Sequence, residues 1–168
     1  EARHATGIQH LTVYWEEHGH PPGPYLTPHF DFHFYIQSPA ETAAIDCKDL
    51  SKPERLPTGY ELPDVAIPGM GTLVGLCVPG MGMHAASTAE LTSKAPWQGS
   101  LIAGYYQKKL IFFEPMLPRT LLQGHKTFPL QVPALEAPAN VRVPTQFTGD
   151  YDAAAHAYRF VFSGFQKT

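Results

Sequence analysis

The stretch Pro28-His29-Phe30-Asp31-Phe32-His33-Phe34-Tyr35 alternates aromatic residues with histidine and aspartate. Alternation over this length predicts a β-strand, because successive side chains of a strand point to opposite faces. The phenylalanines should form one face and pack in the core. The other face, with His29, Asp31 and His33, should line an enclosed polar cavity, since a solvated face more often carries lysine, threonine or glutamate.

Composition restricts the class of protein. A chain of 168 residues is expected to form a single β-rich domain over residues 1–168, and at this length it buries roughly 70% of its unfolded surface. The net charge is −3, and the longest basic run is Lys108-Lys109, which argues against nucleic acid as a partner. No apolar run reaches the roughly 18 residues of a membrane-spanning segment.

Proline and glycine punctuate the whole chain, with 17 Pro and 14 Gly. Such a density of helix breakers favours short strands joined by turns. We therefore expect a mainly β fold, an antiparallel β-barrel or sandwich with two or three short helices. The predicted strands cover residues 12–15, 28–35, 72–78, 100–106, 109–114, 145–151 and 157–165. The predicted helices cover 40–46, after a capping box from Ser38 to Glu41, and 118–123, before Gly124, with a weaker capping box at Ser87 to Glu90.

Two features bear on the cellular compartment. The chain starts at Glu1 and not at Met. Removal of a signal peptide would leave such a mature terminus, and an arbitrary boundary of the sequence would look the same. Cys47 and Cys77 could pair in an oxidising compartment or remain two buried thiols. We expect an extracellular or periplasmic protein.

Histidines and acidic residues cluster in a few short segments of the sequence. The candidate metal ligands are His29, Asp31, His33, His84 and Glu114. A divalent transition metal (zinc, copper, iron or manganese) takes nitrogen and oxygen ligands at about 2.0–2.2 Å. We predict that His84 and Glu114 lie within reach of the polar face of strand 28–35, because each ends an apolar phrase and a buried carboxylate needs a partner.

Strand geometry limits which ligands share an ion. Side chains at i and i+2 start about 7 Å apart and can converge, whereas those at i and i+4 start about 13 Å apart. His29 and His33 should therefore not bind the same ion, while Asp31 could join either one. His18 and His20 have the better spacing, but they lie in a proline-rich loop of unpredictable shape. Equally, the same residues could form a hydrogen-bonded polar network without a metal.

At these residues the sequence resembles an uncharacterised bacterial domain-of-unknown-function family. The resemblance covers about residues 10–165 and rests on four phrases in order: Gly19-His20-Pro21-Pro22, Pro28 to Tyr35, Gly80-Met81-Gly82-Met83-His84 and Phe113-Glu114-Pro115-Met116. It implies a small β-rich domain, often exported, that tends to oligomerise and has no established activity.

Two functional hypotheses follow. The first is a secreted binding or structural protein, assembled as a homo-oligomer, whose enclosed His/Asp/Glu site holds a divalent metal or an unidentified small ligand. The alternative is a cupin-like metal-dependent enzyme that uses the same cluster to activate water or polarise a substrate. Elemental analysis of protein purified without a histidine tag would test for the metal.

Overall fold

The chain folds mainly into short antiparallel strands, as predicted. The computed structural model describes residues 6–69 and 71–168. Its strands are β1 (His10–Glu16), β2 (His29–Tyr35), β3 (Tyr60–Glu61), β4 (Val65–Ile67), β5 (Gly71–Leu73), β6 (Met83–Ser87), β7 (Ser100–Tyr106), β8 (Lys109–Pro118), β9 (Phe128–Leu130), β10 (Gln146–Asp152) and β11 (Ala157–Ser163). The short helices are α1 (Pro39–Ala43), α2 (Thr88–Thr92) and α3 (Arg119–Gln123).

Three antiparallel sheets organise these strands. The largest has the order β1-β2-β8-β7-β6-β3, the second is β11-β10-β9, and β4 pairs with β5. The predicted hairpins β7–β8 and β10–β11 are both confirmed. Within residues 6–69 and 71–168 no sheet closes into a barrel, and no helix is both long and apolar enough to cross a bilayer.

Strand β2 is covered on both faces. On one face Phe32 contacts Phe160, and Phe34 contacts Phe113 and Phe162, so the second sheet packs on the aromatic side. The β2 phenylalanines are only half-buried. The polar side chains opposite them are buried more deeply: His29 is 0% exposed, Asp31 3% and His33 2%. The predicted enclosure of the polar face is therefore confirmed.

Local sequence signals account for several element ends. The Ser38 hydroxyl accepts a hydrogen bond from the Glu41 backbone, and the Glu41 carboxylate accepts one from the Ser38 backbone, which completes the predicted capping box of α1. The β7–β8 turn has Gln107 and Lys108 at φ 49° and 66°. A two-residue hairpin loop takes this conformation to match strand twist, even without glycine or asparagine.

Two predicted elements differ from the structure. The predicted strand 72–78 ends at Leu73 and continues as a 3₁₀ turn, Val74–Leu76, in which Gly75 has φ 59°. Helix α3 ends as predicted, with Gly124 as its C-cap. In α2 the Ser87 side chain caps Glu90, but the Glu90 carboxylate accepts from the Ser100 hydroxyl instead of completing a capping box.

A disulfide joins Cys47 to Cys77, with their Cα atoms 5.9 Å apart. Cys77 directly follows the 3₁₀ turn. The bond therefore fixes that turn to the segment after α1. The turn covers the polar face of the large sheet, where the candidate site lies.

Candidate metal centre

A cavity of about 210 Å³ lies over the polar face of the large sheet. Its floor comes from β1, β2, β6, β7 and β8, and its cover from the loop after β1 and the 3₁₀ turn Val74–Leu76. Most of the lining surface is apolar, and its histidine and acidic residues are Glu16, His20, Asp31, His33, His84 and Glu114. All of these except Glu16, together with His29, divide into two groups, each with two histidines and one carboxylate.

The outer group consists of His20, His29 and Asp31, and its three side chains converge on one point. The Nε2 atoms of His20 and His29 are 3.3 Å apart. Asp31 places Oδ1 3.1 Å from the Nε2 of His29 and Oδ2 3.4 Å from that of His20. Ligand atoms about 2.0–2.1 Å from one ion lie roughly 3.0–3.4 Å from each other in octahedral or tetrahedral geometry. The outer group already has this spacing.

Backbone carbonyls orient both imidazoles of the outer group. The Nδ1 of His29 lies 2.6 Å from the Thr27 carbonyl oxygen, and that of His20 lies 2.8 Å from the carbonyl of Pro21. A carbonyl oxygen can only accept, so each Nδ1 must be the protonated, donating nitrogen. The lone pair of the neutral ring is then on Nε2, which faces the other members of the group. Metal-bound histidines are commonly held in this way.

Charge inside the outer group is concentrated on Asp31. Burial raises the pKa of Asp31, but its contacts with the imidazoles of His20 and His29 outweigh burial and lower the pKa to about 2. Burial lowers the pKa of His20, yet the hydrogen bond and negative charge of Asp31 raise it above its usual value overall. Without a metal, a proton on the Nε2 of His20 keeps this nitrogen from repelling the Nε2 of His29. A divalent cation could replace that proton.

The inner group consists of His33, His84 and Glu114, all of them buried. The Nε2 of His33 lies 3.5 Å from Glu114 Oε1, and the ligand atoms of the group lie within 4.8 Å of one another. The Nδ1 of His84 donates to the Leu76 carbonyl at 3.0 Å. Both ring nitrogens of His33 and the Oε2 of Glu114 have no hydrogen-bond partner among the described residues.

Burial makes the inner group electrically neutral. It lowers the pKa of His33 to about 3, with the positive charge of a protonated His84 acting in the same direction. Burial also lowers the pKa of His84 to about 4, against the hydrogen bond to Leu76. The pKa of Glu114 is raised well above its usual value by burial and by the charge of Asp31. At neutral pH both imidazoles are therefore in the form that binds metals.

Sheet register places the inner group. Strand β2 pairs with β8 so that Asp31 lies opposite Met116 and Phe34 opposite Phe113, which sets Glu114 beside His33. His84 reaches the same face from β6, opposite Gly104 of β7.

The Phe112 ring fills the space that a Cβ at Gly104 would occupy. Its centroid is 4.9 Å from the His33 ring and 5.0 Å from the His84 ring. The inner imidazoles therefore rest on a packed aromatic floor.

The five sequence-predicted residues all belong to these two groups. His29 and His33 fall in different groups, as strand spacing predicted, and the predicted proximity of His84 and Glu114 to His33 is confirmed. Binding of a metal by any of them stays a prediction.

His20 was not among the selected ligands, although its spacing from His18 was a signal. Its position depends on a loop that doubles back, with the His20 backbone donating to the Tyr25 carbonyl at 3.0 Å. At Gly19, φ is 67° and any Cβ would overlap the backbone of residues 25–27. His18 is exposed.

Comparison with protein-family models, with curated proteins and with solved structures found no match.

Proposed function

We propose that this domain binds a divalent transition metal through the Nε2 atoms of His20 and His29 and the carboxylate of Asp31. The observation that carries the proposal is the 3.3 Å between the two Nε2 atoms and the 3.1 and 3.4 Å from them to the two oxygens of Asp31, combined with Nδ1 atoms that donate to backbone carbonyls. Two imidazoles and one carboxylate suit zinc, copper, iron or manganese. Three protein ligands leave at least one coordination position open, on the side of the 210 Å³ cavity.

The open position supports a binding role for the cavity. Its mostly apolar walls with a few ionisable groups are typical of a site for a small organic molecule. We propose that such a ligand contacts the metal while the apolar walls cover the rest of it. A metal-dependent enzyme is the second candidate, and Glu114 favours it. A carboxyl whose pKa is raised by burial can donate a proton to a molecule held in the same cavity.

Zinc binding by protein purified without a histidine tag tests the metal proposal. We expect zinc to bind, as measured by isothermal titration calorimetry, and His29→Ala and Asp31→Asn to weaken binding at least 100-fold, because each removes one of three ligands. His18→Ala is the matched control, since His18 lies close to His20 in the sequence but is exposed. Equal zinc affinity in the wild type, His29→Ala and Asp31→Asn would contradict the proposal. Circular dichroism would establish that each variant is folded.

We also propose that the protein is exported. The Cys47–Cys77 disulfide supports this, because structural disulfides persist in oxidising compartments and are rare in the cytosol. Thiol alkylation in intact cells followed by mass spectrometry is the test. We expect both cysteines to be protected, and alkylation of both would contradict export.

Assembly into a homo-oligomer is the last part of the proposal. Strand β1 forms an edge of the large sheet, and one of its faces exposes Leu11, Val13 and Trp15 by 48%, 50% and 42%. An unpaired edge with an apolar face is a site where another strand tends to add. We propose that a second copy of the same strand covers it.

A further inference from the structure

We infer that the inner group, His33, His84 and Glu114, is a second divalent-metal site, so that one cavity holds two ions. The inference rests on the proposed function for the outer group and extends it. Each group supplies two imidazoles and one carboxylate. Members of both groups line the same cavity.

Unpartnered polar atoms carry the argument for the inner group. Buried polar side-chain atoms nearly always have a hydrogen-bond partner, because leaving one without a partner is costly. Here both ring nitrogens of His33 and one oxygen of Glu114 have none among the described residues. The two side chains face each other, with Nε2 and Oε1 3.5 Å apart. An ion between them would bind the Nε2 of His33 and the Glu114 carboxylate, and would leave only the Nδ1 of His33 without a partner among these atoms.

His84 completes the set of ligands. Its Nδ1 donates to the Leu76 carbonyl, the same orientation by a backbone carbonyl as in His20 and His29. A ring nitrogen of His84 lies within 4.8 Å of the other ligand atoms. A modest movement of the three side chains toward one another would bring their ligand atoms to the separation of about 3.0–3.4 Å that one ion requires.

The surroundings of the inner group suit an ion. All three side chains are buried, and a divalent cation would stabilise the Glu114 carboxylate in this position. Two ions beside Asp31 and Glu114 leave the cavity with excess positive charge. A small anionic ligand, such as a carboxylate, is the class expected to bind in this cavity.

Metal stoichiometry tests the second site. After dialysis of tag-free protein against zinc and removal of free metal, elemental analysis should give about two equivalents per chain in the wild type. His84→Ala and Glu114→Gln should each retain about one, and the double variant Asp31→Asn/His84→Ala should retain none. His18→Ala should keep the wild-type value. Glu114→Gln preserves side-chain size, so it also serves if His84→Ala fails to fold.

The possible failures are distinguishable. About one equivalent in the wild type, unchanged in Glu114→Gln and lost in Asp31→Asn, would overturn the second site and leave the proposed function intact. One equivalent that is lost in Glu114→Gln but kept in Asp31→Asn would overturn the outer site and the two-ion inference. No zinc in the folded wild type would overturn both.

Discussion

Backbone carbonyls fix which ring nitrogen carries the proton in three histidines of this protein. Thr27, Pro21 and Leu76 accept from the Nδ1 atoms of His29, His20 and His84. The histidines were visible in the sequence, but these carbonyls could not be predicted, because their positions depend on loops with irregular backbone. The placement of Asp31 and His33 on one face was predictable, since strand alternation depends only on neighbouring residues.

Glu114 should make the stability of the metal-free protein depend on pH. Its pKa is raised above the ordinary value of 4.5, so the folded protein binds more protons at Glu114 than the unfolded one. This stabilises the fold at low pH, and the contribution is lost as pH rises from about 4.5 through the raised pKa. Glu114→Gln removes the dependence. The free energy of unfolding of the Glu114→Gln variant minus that of the wild type should therefore increase by about 1 kcal/mol or more between pH 4 and pH 7.

Urea unfolding with a chelator present measures this difference. Glu136→Gln is the matched control, because Glu136 is exposed and belongs to neither group. A pH-independent difference for Glu114→Gln would show that Glu114 titrates normally in the fold.

At the scale of elements, most strands were predictable, and the apolar run 72–78 was not. Strands β2, β10 and β11 show alternation, and each forms close to its predicted bounds. The run 72–78 is apolar without alternation, and it divides into β5 and a 3₁₀ turn. The backbone of Gly75 donates to the Asp64 carboxylate at 2.8 Å, and Cys77 bonds to Cys47. Both partners are distant in the sequence, so no local pattern could indicate them.

The contact between β7 and β8 at Gly104 should be sensitive to substitution. A Cβ there would overlap the Phe112 ring, which packs against His33 and His84. We expect Gly104→Ala to lower the free energy of unfolding by about 1–3 kcal/mol, the usual cost of overpacking.

Gly23→Ala is the control for this prediction, because a Cβ at Gly23 meets nothing within 4 Å. It should change stability by less than about 0.5 kcal/mol. Thermal or urea denaturation measures both variants. Equal stability of Gly104→Ala and wild type would show that Phe112 is free to move and does not form a fixed floor under the imidazoles.

For the whole molecule, strand order leaves β1 and β3 at the edges of the large sheet. Antiparallel pairing of β1 with β1 of a second copy, centred on Val13, would place Leu11 beside Trp15 of that copy. The same pairing brings His10 beside Glu16 at both ends. Amino-acid composition could suggest assembly, but only the strand order shows which surface is available.

Val13→Lys tests this assembly, because lysine on an edge strand opposes pairing. We expect the wild type to elute as an oligomer in size-exclusion chromatography with light scattering, and Val13→Lys to shift toward the monomer. Gln146→Lys, at an exposed position of β10, should leave the wild-type mass unchanged. A monomeric wild type, or a Val13→Lys variant of the same mass as wild type, would contradict assembly through β1.

The central claim is that His20, His29 and Asp31 hold a metal ion. Anomalous diffraction from zinc-soaked crystals, recorded on both sides of the zinc absorption edge, tests it most directly. The account predicts a peak about 2.0–2.2 Å from the Nε2 atoms of His20 and His29 and from an oxygen of Asp31. The absence of a peak at these three atoms in zinc-saturated crystals would contradict it.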